Sequence, residues 1–555
     1  MASQDSNPAH EHAVRLNAIS EASDAYPKPE GVTFSYGTAG FRTLATKLPS
    51  VLFRVALLAI LRSKALKGAT IGVMITASHN PEPDNGVKLV DPSGEMLDPN
   101  WEHHATTLSN CPSTSSLIST FTTLLTHLHI DLHAPASVVF ARDTRPSGKE
   151  LVAAMTKGLQ CFPDAKIVDL GVTTTPILHY VVKATNDKTG EYGVPTIEGY
   201  MDKTAKSFKT LVGNRAPLPI LYVDCANGVG SPALNKLSIH LRGLISFRQL
   251  NNSITLPGAL NSQCGADFVK TSQKLPPSMV QSQVLSSSES RACSFDGDAD
   301  RVIYYYVNDH GKFRMLDGDK IAVMVAMYLR ELVEKTKLGS EGLEVGCVQT
   351  AYANGSSTKF LKSRNIPITC VSTGVKHLHH AAQRYDIGVY FEANGHGTVL
   401  FSPSTISTLK TASPTSPDAA NAIKNLLAFS DLINQAVGDA LSDMLLVEVV
   451  LAHRGWGAPE WDAAYEDLPN RLLKVEVPDR NIFATTDAER KLTAPGGLQG
   501  EIEKEMRKFD QGRAFVRPSG TEDCVRVYAE AKNAVEAEAL ASTVAELVRH
   551  ASGLT

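Results

Sequence analysis

Strand-length apolar runs alternate with helix-length apolar segments in the first part of this chain, and each strand empties into a polar turn. That alternation restricts the fold to layered α/β architectures. Residues 71–75 (IGVMI), 137–142 (SVVFAR) and 167–170 (IVDL) read as strands. Residues 51–66 (VLFRVALLAILRSKAL) have the length and apolar density of a buried helix, and another helix starts near Lys149. The expected layer is mostly parallel. Residues 183–196 are polar and read as a first linker. A second α/β unit starts at residues 220–223, and residues 292–295 form a short strand within it. Residues 320–335 read as a helix of a third unit, with Ile321, Met324, Val325, Tyr328, Leu329 and Leu332 at helical spacing. From about Leu445 the pattern changes to strands followed by a helix. Residues 514–517 and 524–529 are strands around a loop, and 534–548 is an Ala/Glu-rich helix, which makes a small α+β tail domain. The expected limits are 1–190, 191–303, 304–440 and 441–555. The polar stretches 110–119 and 402–417 read as surface loops.

A chain of 555 residues has room for roughly three to five domains. Its 43% apolar and 20% charged content is that of an ordinary globular protein. The net charge of −4 gives no basic excess for nucleic acid or an anionic membrane. The longest apolar runs, 321–329 and 55–61, are too short to span a bilayer. The first residues lack the apolar core of a signal peptide. Eight cysteines occur without a CxxC pair and read as free thiols in a reducing compartment, with the cytosol expected.

Four segments carry chemistry. The turn Thr76-Ala77-Ser78-His79-Asn80-Pro81 leaves a serine hydroxyl at a strand end, because Pro81 biases Asn80 away from helix. Asp296, Asp298 and Asp300 fall at alternate positions, which in an extended segment puts all three on one side. Together they repel unless a cation neutralises them, and hard oxygen ligands suit Mg²⁺. The plain alternative is a solvated acidic turn. Glu392-Ala393-Asn394-Gly395-His396-Gly397 follows a strand-like run and can grip sugar hydroxyls, or be an ordinary turn. Arg517-Pro518-Ser519-Gly520-Thr521 offers a guanidinium fork and uncharged donors suited to phosphate, or a surface hairpin loop. Weaker signals are Arg42 in a two-glycine segment and Thr373-Gly374-Val375-Lys376-His377. The histidines at 103, 104, 127, 129, 379 and 380 show no metal-ligand logic.

TASHNP, DGDAD and RPSGTE in this order make the chain resemble the α-D-phosphohexomutase superfamily, from about Tyr36 to the C-terminal helix. TASHNPEPDNGVKLVDPSGEML and EANGHG are similar to its phosphoacetylglucosamine mutase branch, whereas the glucose and mannose mutases outside that branch typically carry serine in place of Asn394. The resemblance implies three mixed α/β sandwich domains and a C-terminal α+β, TATA-binding-protein-like domain around a central cleft. It implies a phosphoserine at Ser78, and one Mg²⁺ held by Asp296, Asp298, Asp300 and an oxygen on Ser78. It implies sugar contacts from Glu392, Asn394, Gly395, His396, Thr373 and Gly374. The phosphate grip would be Arg517, Ser519, Gly520, Thr521 and Arg526, with Arg42 and Lys88 near the transferring group.

The implied activity is an isomerase reaction of UDP-N-acetylglucosamine synthesis. It interconverts N-acetylglucosamine 6-phosphate and 1-phosphate through a 1,6-bisphosphate, which also serves as activator. Lys88 is the first expectation for the general base and His79 the second. A cytoplasmic monomer that binds sugar phosphates, and neither nucleic acid nor membrane, is expected. The alternatives are a phosphoglucomutase or phosphomannomutase, a metal-dependent phosphomonoesterase, and a sugar-phosphate binding protein without activity.

Overall fold

The structure, a computed structural model, describes residues 8–338, 342–519 and 523–554. Two compact units are present. One holds residues 1–315 with 431–446, and the other holds 316–430 with 447–555.

The first unit contains two sheets. Strands β1 (Phe41–Leu44), β2 (Thr70–Ile75), β3 (Asp84–Val90), β4 (Ser137–Arg142) and β5 (Lys166–Val172) lie in the order β1-β3-β2-β4-β5. β2, β4 and β5 are parallel, while β3 runs antiparallel to β1 and β2. All of β2 is buried, because helices cover both of its faces. Helix Pro49–Ala65 packs with Ile71, Val73 and Ile75. On the other face Gly72 meets helix Thr175–Asn186, where a Cβ would sit 2.7 Å from Val182. The expected buried helix at 51–66 is found, with Pro49 in its first turn. The second sheet contains β6 (Leu221–Asp224), β7 (Phe247–Leu250), β8 (Arg291–Phe295), β9 (Val302–Val307) and β10 (Phe313–Leu316), in the order β10-β9-β8-β6-β7. The expected limit at 303 falls inside β9, which pairs with β8, so this sheet continues past it.

The second unit holds β11 (Val345–Gln349), β12 (Ile368–Cys370), β13 (Ile387–Phe391) and β14 (Gly397–Phe401), in the order β12-β11-β13-β14. The expected helix of 320–335 is present as Gly318–Thr336 and is buried along most of its length. Beyond it come β15 (Asn470–Glu476), the small hairpin of β16 (Ala484–Thr486) and β17 (Lys491–Ala494), then β18 (Arg513–Pro518) and β19 (Cys524–Glu530). β15, β19 and β18 form an antiparallel sheet with helix Ala534–Ala551 on one face, which is the expected α+β tail.

Three sequence expectations are corrected. Residues 402–417 contain helix Pro403–Thr411, started by Ser402, whose Oγ accepts from Thr405 N at 3.1 Å. Residues 110–119 likewise contain the start of helix Thr114–His127, capped by Ser113. In both places a Ser/Thr-rich capping stretch reads as loop. The strands expected from Leu445 are replaced by helix Ala440–Arg454, and strands begin only at Asn470. The run LLVEVV at 445–450 is nearly all apolar because the helix is buried all round, so periodicity could not separate the two. Among the described residues no helix is long and apolar enough to cross a membrane.

Candidate functional site

Ser78 follows β2 in a left-handed conformation, φ 49°, which a residue with a Cβ adopts only when its surroundings hold it. The restraint is visible. Ser78 N donates to Thr76 Oγ1 at 3.0 Å, and Thr76 Oγ1 donates to Asp143 Oδ2 at 2.7 Å. The fully buried Arg145 spends its guanidinium on the same loop, donating to the carbonyls of Ser78, Asn80, Pro81 and Asp84 at 2.6–3.0 Å. Its Nε pairs with Asp143 at 3.1 Å. From the connection between β7 and β8, Asn261 Nδ2 donates to the Ser78 and Asn80 carbonyls at 2.9 and 3.1 Å. A loop with this many fixed carbonyls is a rigid mount for one hydroxyl.

That hydroxyl points at the acidic triplet. Ser78 Oγ donates to Asp296 Oδ2 at 2.6 Å. Asp296, Asp298 and Asp300 are all buried, and one oxygen from each lies within 4.8 Å of the others. The approach of the two loops depends on Gly297, where a Cβ would sit 2.6 Å from the Ser78 carbonyl. Burial, and then the neighbouring Asp300 and Asp298 carboxylates, push the Asp296 carboxyl well above the usual range. Thr175 Oγ1 donates to Asp298 Oδ2 at 2.6 Å, whereas the buried Asp298 Oδ1 has no hydrogen-bond partner. Clustered buried carboxylates with an orphaned oxygen are a donor set that fits a hard divalent cation.

The expected cations are present around this cluster. Lys88 Nζ lies 3.6 Å from Asp298 Oδ2 and 3.5 Å from Asp300 Oδ2. Arg42, on β1 opposite Gly86, donates to Asn80 Oδ1 at 3.1 Å. His79 Nδ1 is 3.5 Å from Ser78 Oγ. Burial, then the Arg301 and Arg42 cations, push its imidazole down to about 2, so it is neutral near pH 7.

The second unit carries the other expected residues. The loop after β13 is closed by Glu392 N donating to the His396 carbonyl and Gly395 N to the Glu392 carbonyl, both at 2.8 Å. Asn394 Oδ1 accepts from His396 N at 2.9 Å, so one side of the amide shapes the loop. Gly318 lies beneath, where a Cβ would stand 1.9 Å from the Glu392 carbonyl. Thr373 and Arg517 meet through Glu489, which accepts from Thr373 N and Arg517 Nε, each at 2.8 Å. Gly374 has φ 127° and precedes helix Val375–Ala382. Arg517 stands opposite Arg526 across β18 and β19, and Arg526 stands opposite Lys474 of β15. Like charges in register destabilise a sheet unless an anion joins them. Ser519 N donates to the Cys524 carbonyl at 2.9 Å, while Gly520 and Thr521 lie outside the described residues.

Sequence reasoning missed Arg145, Thr175, Asn261, Arg301, Glu489 and Lys474. Arg145 left a trace in the Asp143-Thr144-Arg145 turn at the end of a strand. Glu489 left none, since its turn between β16 and β17 looks like any exposed loop.

Comparison with known proteins defines the class first. Residues 43–114 and 108–194 match the family model "Phosphoglucomutase/phosphomannomutase, alpha/beta/alpha domain I", and residues 472–547 match that family's C-terminal domain. The chain therefore has the domain set of the phosphohexomutases. Residues 200–303 and 317–456 match domains II and III of "Phosphoacetylglucosamine mutase AMG1". Candida albicans phosphoacetylglucosamine mutase is 49% identical over 546 residues, covering 96% of this chain and 99% of that one. The crystal structure of Aspergillus fumigatus N-acetylphosphoglucosamine mutase in complex with GlcNAc-6P and magnesium is 49% identical with TM-score 0.92, covering 97% and 99% of the two chains. A serine-to-alanine variant of that enzyme in complex with glucose 1,6-bisphosphate matches equally, at TM-score 0.92, 49% identity and the same coverage. The chain belongs to the phosphoacetylglucosamine mutase family.

Proposed function

We propose that this chain interconverts N-acetylglucosamine 6-phosphate and N-acetylglucosamine 1-phosphate, with Ser78 as the phosphoryl carrier. The observation that carries the reading is the Ser78 hydroxyl at 2.6 Å from a carboxylate of a buried acidic triplet, in a chain of this family. Asp296, Asp298 and Asp300 are the residues that would hold Mg²⁺. When bound, the ion supplies neutralising charge beside the transferring phosphoryl group.

The chain's own residues supply the rest. Phosphorylated Ser78 gives its phosphoryl group to the free sugar hydroxyl, so a new P–O bond forms and the Ser78 Oγ–P bond breaks. The product is a 1,6-bisphosphate, whose other phosphoryl group then returns to Ser78. Arg42 and Lys88 add cationic charge at the serine. Lys88 is the proposed base for the hydroxyl proton. What favours Lys88 over His79 is the weak basicity that burial leaves to the imidazole, together with the place of Lys88 Nζ beside the aspartate cluster. Arg517, Arg526 and Ser519, with Gly520 and Thr521, hold the phosphate that is not reacting. Glu392, Asn394, Gly395 and His396, with Thr373 and Gly374, contact the sugar. A cytoplasmic monomer in UDP-N-acetylglucosamine synthesis completes the proposal, with sugar phosphates as its only ligands besides Mg²⁺.

The test is isomer formation with Mg²⁺ and a trace of 1,6-bisphosphate, comparing N-acetylglucosamine 6-phosphate with glucose 6-phosphate. Preference for the acetylated sugar is expected. Preference for glucose 6-phosphate would overturn the substrate, and phosphate release without isomer would overturn the transfer.

A further inference from the structure

A buried polar cluster in the first unit takes no part in the chemistry above. Asn434, Asp439 and Asp443 lie in the segment 431–446, where the chain rejoins this unit, and Tyr200 reaches them from helix Ile197–Val212. All are at most 3% exposed. Tyr200 Oη donates to Asp439 Oδ2 at 2.7 Å. Asp439 Oδ1 accepts from Leu441 N and Ser442 N at 3.1 and 3.3 Å, capping helix Ala440–Arg454. Asp443 Oδ2 accepts from Asp439 N at 3.2 Å, and Asp443 Oδ1 has no hydrogen-bond partner.

This cluster leads directly to the acidic triplet. Ala299, between two of the aspartates, is held at φ 59°, which a residue with a Cβ does not choose unaided. Two backbone donors fix the peptides at this point. Thr175 N donates to the Asp298 carbonyl at 3.2 Å, and Ala440 N donates to the Ala299 carbonyl at 3.1 Å. Each donor is the first residue of a helix, Thr175–Asn186 or Ala440–Arg454, and so an N–H that its own helix cannot use. A single amide ties the two helix starts together. Asn434 Nδ2 donates to the Pro176 carbonyl at 3.0 Å and to Asp439 Oδ2 at 3.2 Å.

We propose that Asn434 and Asp439 are positioning residues for the metal loop, setting the spacing of the two helix starts that aim Asp298 and Asp300. The inference rests on the reading of the aspartate triplet as the cation site. A purely structural role explains the cluster poorly. The helix cap accounts for Asp439, but burial pushes Asp443 well above the carboxylate range and its Oδ1 has no hydrogen-bond partner, a cost that packing alone does not offset. Groups that orient metal ligands from behind typically change metal affinity or activity by about 10–100-fold when removed.

The experiment uses the full chain and reads Mg²⁺ affinity by calorimetry, alongside Mg²⁺ activation of turnover and KM for the sugar phosphate. Asn434→Ala is expected to weaken Mg²⁺ binding by about tenfold, with much of kcat recovered at saturating Mg²⁺ and KM for the sugar phosphate unchanged. Asp439→Asn keeps a helix cap and is expected to act in the same direction. If either variant folds poorly, Tyr200→Phe removes one hydroxyl and is expected to give a smaller loss of the same kind. Val548→Ala, in the core of the C-terminal domain, is the control: it should lower the melting temperature and leave Mg²⁺ affinity alone. Unchanged Mg²⁺ affinity in the Asn434 and Asp439 variants, with a melting loss like that of the control, would reduce the cluster to packing. Asp298→Asn separates the two layers. If it leaves Mg²⁺ affinity intact, the cation site itself is misplaced and the inference falls with it. If it abolishes binding while Asn434→Ala does not, only the positioning role is lost.

Discussion

The two units hold opposite charges in opposite ways. In the first, carboxylates gather in the interior: Asp296 and Asp298 have no exposed surface, and Asp300 has 6%. In the second, cations gather on a sheet face, with Lys474 exposed and Arg526 and Arg517 half-buried across three strands. A buried anionic cluster is held in place by the groups packed around it and is completed by a small cation. An open cationic face adapts to an anion that arrives attached to a larger molecule. The first arrangement suits a fixed transfer centre and the second a reusable grip. A mutase that serves hydroxyls at both ends of one sugar requires that division, because its ligand must be released from one pose and held in another.

Removing the proposed carrier tests this contrast most severely. Ser78→Ala should bring isomer formation to background while the melting temperature barely moves, since the loop is held through its carbonyls and Thr76 rather than through Oγ. Steady turnover in this variant would take the carrier role from Ser78. Asp298→Asn comes next. It should cost more than the ~10–100-fold of a positioning group and shift the Mg²⁺ titration. An unmoved titration would erase the distinction between the two regions.

Arg517→Ala acts on the other side of the comparison. It removes a charge-assisted contact of about 1.5–3 kcal/mol, or roughly 10–150-fold in kcat/KM. The expected loss falls on KM, with Mg²⁺ dependence unchanged. A shifted Mg²⁺ titration with KM intact would mean that the cationic face serves something other than the sugar phosphate.

The two regions also differed in how well they could be read from sequence. The proposed transfer centre was legible because the residues assigned to it lie within short segments: Ser78 in one turn, and the aspartates at alternate positions in another. Segment composition also placed β4 at its ends and located the buried helix at Pro49–Ala65. The supports were illegible because they are distant in sequence. Arg145 lies 67 residues from the Ser78 carbonyl that it binds, and Asn261 lies 183 residues away. In the cationic face, Arg517 was visible inside its motif, whereas Lys474 acquires meaning only through strand register. Capping serines at 113 and 402 misled for a local reason: the residues that start helices are also the residues of turns.

Glu489 offers the finest test, because it is a carboxylate set among these cations that the sequence did not announce. Burial alone would raise its pKa, but hydrogen bonds from Thr373, and then Arg517, outweigh burial and hold it below the ordinary 4.5. A folded-state pKa below the unfolded value means that Glu489 stabilises the fold above that ordinary value, and that this contribution fades as pH falls through the folded pKa. Glu489→Gln keeps an acceptor for Thr373 N but removes the charge facing Arg517. At pH 7 the variant should melt below the parent and raise KM for the sugar phosphate by about two- to fivefold, the scale of a partly exposed ion pair of about 0.5–1 kcal/mol. The difference in melting temperature should shrink as the pH is taken below the ordinary carboxylate value, because the parent then loses the same charge. A pH-independent difference would show that Glu489 acts through shape, and an unchanged KM at pH 7 would show that Arg517 needs no partner to hold its aim.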